Sequence, residues 1–269
     1  MFQTSALCKW SAAGLIALSG GMAHASVTIS HDFSDGTAGP FTLTNTVDGN
    51  DWTFDEENER LEFARGTTDA YALAASTSVA GSAADDFSVS TVIRPHMDWG
   101  WGNLGLHARA NAEDLGGEWD SAAAAASGYW ARLTNTGGSD YRLRLMYGTT
   151  ELSVAPLDPI TWDDWPISHS GPVTWTFDGD VQGNGDLLLT TMLSHWDGQT
   201  NVTAEYLVAS GDVASDGDHY GFRAIAFSQG LGNPTDGRID QLSVTAVPEP
   251  ATLTLGLLGL GAMMLRRRR

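Results

Sequence analysis

The chain has 269 residues, with 14 basic and 33 acidic side chains and a formal net charge of −19. That balance excludes nucleic acid as a general partner, because phosphate binding needs a basic surface. Cys8 is the only cysteine, so an intrachain disulfide framework and a thiolate metal cage are excluded as well.

In chain order, Lys9 is followed by a short apolar segment, 11–22, closed by Ala23-His24-Ala25, an A-x-A cleavage pattern. Residues 1–25 therefore read as a secretory signal, with the mature chain starting at Ser26. Lys9 is the only lysine, so 26–247 is a stretch of 222 residues with nine arginines against 32 acids, a formal −23. This is enough chain for one domain whose apolar core needs no cross-links.

Period-two alternation then dominates. Phe87, Val89, Thr91 and Ile93 share one face of 86–94; Leu104, Leu106 and Ala108 alternate with His107 and Arg109. Tyr129, Ala131 and Leu133 alternate with Trp130 and Arg132, and Tyr141, Leu143, Leu145 and Tyr147 with Arg142 and Arg144. Such alternation marks half-buried antiparallel strands. Further strands are expected at 27–33, 51–54, 61–65, 173–177, 186–193, 202–208, 220–227 and 239–246. Asp48-Gly49, Asp178-Gly179, Asp197-Gly198 and Asp236-Gly237 read as tight turns, where glycine supplies the positive φ. The alanine run 122–126 is bracketed by Gly116-Gly117 and Gly128 and reads as loop. The expected class is all-β: one two-sheet antiparallel β-sandwich over 26–246.

The end of the chain has three parts. Pro248-Glu249-Pro250 leads into the apolar run 251–265, which leads into Arg266, Arg267, Arg268 and Arg269. The arginines stay on the cytoplasmic side of a bilayer. The 15-residue run spans about 22 Å as a helix, short of the ~30 Å hydrocarbon core, which favours a processed signal over a lasting transmembrane anchor. The tail 247–269 resembles the PEP-CTERM sorting signal of Gram-negative bacteria. The resemblance implies recognition by an exosortase-type membrane protease, transient inner-membrane anchoring, and release to the cell surface or extracellular matrix of biofilm-forming, exopolysaccharide-producing cells.

Asp32-Phe33-Ser34-Asp35-Gly36 near the start, and 237–244 at the close, resemble the first and last strands of concanavalin A-like jelly rolls. In that fold the terminal strands pair and a concave sheet face binds ligands. Glucanases of this fold place Glu-x-Asp-x-x-Glu on one strand face, so that two carboxylates can work together. This sequence lacks that motif, and it lacks the serine elbow and His-Glu-x-x-His. A non-catalytic role in glycan binding is expected; the alternatives are a polysaccharide hydrolase or lyase with an unrecognised site, and a purely structural matrix protein.

Three sets of residues are candidates for binding. Trp99 and Trp101 sit in a polar, Gly-rich segment, where flat rings suit the C–H faces of sugars or, equally, pin a loop onto the sandwich. Arg94, Arg109, Arg132, Arg142 and Arg144 all emerge opposite the apolar side of their strands, with His107 and Trp130. If those strands are neighbours they build one guanidinium-rich face able to grip an acidic exopolysaccharide; the alternative is pairing of each arginine with a nearby aspartate. Asp32, Asp35 and Asp240 lie near chain ends that the fold would bring together, and hard oxygen ligands suit a structural Ca²⁺.

Overall fold

In the computed structural model, the described residues are 26–45, 52–55, 60–63, 70–80, 85–95, 102–115, 127–135, 141–157, 172–195, 200–214, 217–227 and 237–247. The alternating segments become antiparallel strands, and these stack as two sheets. The first sheet has eight strands. Its order is β13 (Asn201–Val208), β12 (Leu187–Ser194), β11 (Val173–Val181), β6 (Phe87–Pro95), β15 (Gly237–Ala246), β4 (Arg60–Phe63) and β3 (Trp52–Asp55). The eighth strand, β1 (Val27–His31), pairs with the C-terminal half of β15, from Val27 opposite Ala246 to His31 opposite Leu242. The two ends of the described chain thus meet, as the jelly-roll resemblance implies.

The second sheet has seven strands, in the order β10 (Thr150–Pro156), β9 (Tyr141–Tyr147), β8 (Tyr129–Asn135), β7 (Gly102–Ala110), β14 (His219–Phe227), β5 (Ala70–Ser78) and β2 (Thr42–Asn45). A 3-10 turn, Ala112–Leu115, follows β7.

The core lies between the sheets and uses one side of each strand. β11 and β12 contribute Val173, Trp175, Phe177, Leu187, Leu189 and Leu193; β8 and β9 answer with Tyr129, Ala131, Leu133, Leu143 and Leu145. Burying one such large apolar side chain stabilises by about 1.5–3 kcal/mol, which explains how a chain without disulfides holds its fold. The Trp175 indole nitrogen donates to the Thr191 hydroxyl at 2.9 Å, and that hydroxyl donates to the Thr176 carbonyl at 2.8 Å. The one polar atom that the indole carries into the core is therefore satisfied.

Three strands were not expected: β2, β5 and β10. β5 reads Ala-Tyr-Ala-Leu-Ala-Ala-Ser-Thr-Ser, and alanine is depleted in strands. Its small residues serve close packing here: Ala74 and Ala75 are both fully buried. β10 ends in Pro156 and is an edge strand, the position that tolerates proline. The expected turn at Asp178-Gly179 is not one. Both residues lie inside β11, paired with Ser88 and Phe87 of β6. Gly179 is needed there for space, because a Cβ would come within 2.2 Å of the Phe87 ring. The chain turns later, where Gly185 takes φ +85° and its amide donates to the Gln182 carbonyl at 2.7 Å.

The segment 1–25, Trp99, Trp101, the expected turns at Asp48-Gly49 and Asp197-Gly198, and the apolar run 251–265 lie outside the described residues, as does the rest of the tail from Pro248. Among the described residues no helix is long and apolar enough to cross a membrane.

Candidate functional site

The seven-stranded sheet has a second face, pointing away from the core. Its residues are those that alternate with the core set, and the strand registers arrange them in rows. One row runs Ala74, Arg223, Gly105, Arg132, Arg144, Val154 across β5, β14, β7, β8, β9 and β10. The next runs Ser76, Gly221, His107, Trp130, Met146, Glu151. Arg142 follows in a third row, opposite Thr134 and Pro156.

Trp130 sits at the centre. Its indole lies over Gly105 of the neighbouring strand, where an added Cβ would fall 1.6 Å from Nε1. Only glycine leaves room for the ring to lie flat on the sheet. Arg132 and Arg223 each bring a guanidinium carbon to 5.4 Å from the indole centroid. Two cations over one indole are each attracted by the ring quadrupole. Burial, and next the neighbouring Arg144, bring the Arg132 guanidinium down to about 10; burial also brings Arg223 to about 10, against the opposing pull of Asp114. Both remain cations at neutral pH. Arg144 donates to Glu151 at 2.6 Å and to the Thr134 hydroxyl at 3.1 Å. His107, paired with Trp130, is 3% exposed. Burial above all, then Arg223 and His219, push its pKa well below the usual imidazole value, so it is neutral.

Of the expected guanidinium face, Arg132, Arg142 and Arg144 stand together with Trp130 and His107. Trp130 is a buried centre, not an exposed ring. Arg94 is on β6 and so belongs to the other sheet.

Arg109 is also displaced. Two residues of β7 oppose Tyr220 of β14, because the register slips between the pairs His219–Ala110 and Gly221–His107. This is a β-bulge, and Arg109 takes φ +58° within it. The side chain turns into the interior instead of outward. It is fully buried, donates to the carbonyls of Asp85 (2.8 Å) and Ala214 (3.2 Å), and lies over the rings of Phe87 and Tyr129. It packs between the two sheets and lies off the outer face.

Arg223, Gly105 and the central place of His107 were missed. The available signal for Arg223 was its isolation: a lone charge in the apolar strand Tyr220-Gly221-Phe222-Arg223-Ala224-Ile225-Ala226-Phe227.

The calcium set is not assembled. Asp32 accepts from the amide and hydroxyl of Ser34, and Asp35 from those of Thr37. These bonds, with the Ser34 and Thr37 hydroxyls as the largest causes, hold both carboxyls below the ordinary range. Each carboxylate thus serves its own loop. Among the described residues no group of three or more His, Cys, Asp or Glu is placed to hold a metal ion, so the residues do not fit the Ca²⁺ site expected of Asp32, Asp35 and Asp240.

Residues 246–269 match the family model for the PEP-CTERM protein-sorting motif. The tail is a PEP-CTERM sorting signal. It starts where β15 ends, since the amide of Val247 still donates to the Asp86 carbonyl at 3.0 Å. The PEP-CTERM tail marks the chain for export and C-terminal sorting. No curated protein sequence matches the chain.

The fold has solved counterparts. The winged bean acidic lectin, complexed with methyl-α-D-galactose, has a TM-score of 0.56 at 9% identity, covering 84% of this chain and 100% of that one. Lectin I from Ulex europaeus, in complex with the methyl glycoside of α-L-fucose, has a TM-score of 0.57 at 8% identity, covering 82% and 98%. A protein of unknown function from Shewanella oneidensis, at 14% identity, covers 91% and 97% with a TM-score of 0.54. The PEP-CTERM chain therefore carries a concanavalin A-like jelly roll.

Proposed function

We propose that this is a cell-surface or extracellular-matrix protein, sorted by an exosortase-type protease, whose sandwich binds glycan without catalysis on the outer face of the seven-stranded sheet. The observation that carries the reading is the group Arg132, Trp130 and Arg223 on Gly105, with Arg142 and Arg144 beside it. In a chain so acidic, this face gathers Arg132, Arg142, Arg144 and Arg223, four of the nine arginines of 26–247, with His107 and Trp130 into a polar patch with aromatic character. Guanidinium forks and an indole suit hydroxyl-rich and carboxylate-bearing polymers. The lectins named above lend the fold a precedent for carbohydrate contact. Glu151, at the margin of the face, is held by Arg144 at 2.6 Å. Trp99 and Trp101 remain candidates for the same role from their own segment. The likeness to lectins supplies no calcium set on these residues, and the reading needs none.

The test is binding of the purified chain to bacterial exopolysaccharides, with product analysis on the same polymers. Binding without chain cleavage is expected, and Arg142→Ala with Arg144→Ala should weaken it and lower its salt sensitivity, since exposed charge contacts are screened by salt. Failure to bind any polysaccharide, or appearance of shortened products, overturns the reading. Intact mass of surface material should show loss of Arg266–Arg269.

A further inference from the structure

Three side chains on the outer face hold buried polar atoms that no protein group satisfies. His107 has neither ring nitrogen bonded, Trp130 leaves Nε1 unbonded, and Arg223 leaves Nε and Nη2 unbonded. All three residues are 3% exposed. They converge: His107 and Trp130 are opposite each other in register, Arg223 lies over the Trp130 ring, and its charge acts on His107. Buried polar atoms in native proteins are almost always bonded, because an unmet donor forfeits its hydration. Three at one point mark a place built for something else.

The chemistry of the unmet atoms narrows what that is. Nε and Nη2 form the side-on fork of a guanidinium, the pair that meets both oxygens of one carboxylate. Trp130 Nε1 is a donor only, and the neutral His107 offers one donor and one acceptor. The set is donor-rich beside a cation, so it takes an anion and repels a metal ion. The acceptor nitrogen of His107 calls for a hydroxyl proton next to that anion. The charges that face the group are Arg223 on β14, Arg132 on β8, Arg144 and Glu151 on β9 and β10, His219 on β14 and Asp114 on the 3-10 turn. The two carboxylates among them do not fill the fork: Glu151 is bound to Arg144, and Asp114 Oδ2 accepts from the Ser127 hydroxyl and from Asn111 Nδ2 at 3.5 Å.

We infer that Arg223, His107 and Trp130 form a subsite for a uronic-acid unit, the Arg223 fork taking its carboxylate and His107 a neighbouring hydroxyl. This rests on the glycan-binding reading above and narrows it to acidic polymers read at one point. Arg223 is the specificity-determining residue, because a lysine keeps the charge but lacks the planar fork.

The experiment uses the purified full chain and calorimetric titration with an oligogalacturonate, its methyl ester, a neutral glucan oligomer, free glucuronate, acetate and sulfate. Oligogalacturonate should bind at least tenfold more tightly than its ester, and free glucuronate more tightly than acetate or sulfate. Arg223→Lys and His107→Gln should each weaken oligogalacturonate binding roughly tenfold or more, the loss expected for a charge-assisted bond. Should either variant fail to fold, the wild-type His107 imidazole proton resonances provide the check: they should shift with oligogalacturonate and stay fixed with the ester. Equal binding of acid, ester and glucan overturns the uronate subsite while the glycan reading stands. No binding of any sugar overturns both. Acetate or sulfate binding as tightly as glucuronate shows a plain anion site and overturns the inference, as does uronate binding that ignores both variants and leaves His107 unshifted.

Discussion

Gly105→Ala is the most direct test of how the outer face is built. The added Cβ would fall 1.6 Å from Trp130 Nε1 and 2.5 Å from two further indole atoms. No real Cβ contact is that short, so the ring has to leave its place. Its displacement breaks both guanidinium contacts, each worth about 0.5–1 kcal/mol and up to ~2 when desolvated. Overpacking a fitted site costs about 1–3 kcal/mol. Together these predict a loss of about 2–5 kcal/mol. For a domain of this size each kcal/mol shifts the melting temperature by about 2–4 °C, so a fall of roughly 4–20 °C is expected. The control is the double-mutant cycle with Trp130→Ala. Removing the indole alone costs about 3–5 kcal/mol, but in that background Gly105→Ala meets no ring. The second substitution should then be neutral, or stabilise by up to about 1 kcal/mol, because alanine restricts the unfolded chain. Thermal unfolding of the four proteins, with tryptophan emission as the probe, measures the coupling. A Gly105→Ala protein that melts with the wild type, or costs that add within about 0.5 kcal/mol, would falsify the flat indole on Gly105.

Arg109→Met keeps the length of the side chain but leaves the Asp85 and Ala214 carbonyls without their donor; each such loss costs about 1–3 kcal/mol, and denaturant titration should show a destabilisation of at least 2 kcal/mol, whereas a change under 0.5 kcal/mol would return Arg109 to the surface. His107 has a folded pKa below its unfolded value near 6.5, so between those two values the unfolded chain binds a proton that the native one does not. Stability should therefore rise with pH through that window, fall by up to about 1.4 kcal/mol per pH unit on acidification below ~6.5, and do so less steeply in His107→Gln; parallel pH profiles for the two proteins would refute the buried neutral imidazole. Thr191→Val strands the Trp175 indole N–H inside the core and should cost about 1–3 kcal/mol by the same titration, an unchanged midpoint counting against that bond.

Some of this molecule is local in origin and was legible residue by residue. The Pro248-Glu249-Pro250 motif, the apolar run and the arginine block are legible as a sorting signal in the sequence itself, and no folding is needed to see them. Period-two alternation likewise gave the strands of 86–94, 104–109, 129–133 and 141–147 and the side on which Arg132, Arg142 and Arg144 emerge, because successive side chains must point to opposite faces. Alternation is silent about which sheet a strand joins. Arg94 follows the same pattern as Arg132, yet β6 pairs with β11 and β15 across long sequence separations and carries it to the other sheet. It is equally silent about bulges. One extra residue in β7 turns Arg109 from the outer face into the core, and that slip is set by β14, more than a hundred residues away. The aspartates failed as a metal set for a related reason: composition counts carboxylates, while the loops at Ser34 and Thr37 decide what each is bonded to. Arg223 joined the site only because β14 lies beside β7, so that a lone charge in an apolar strand meets Gly105 and the ring of Trp130. Sequence fixes the chemistry of each strand and, where the ladder runs without a bulge, its sidedness; long-range pairing sets the bulges and decides which of those chemistries share a surface.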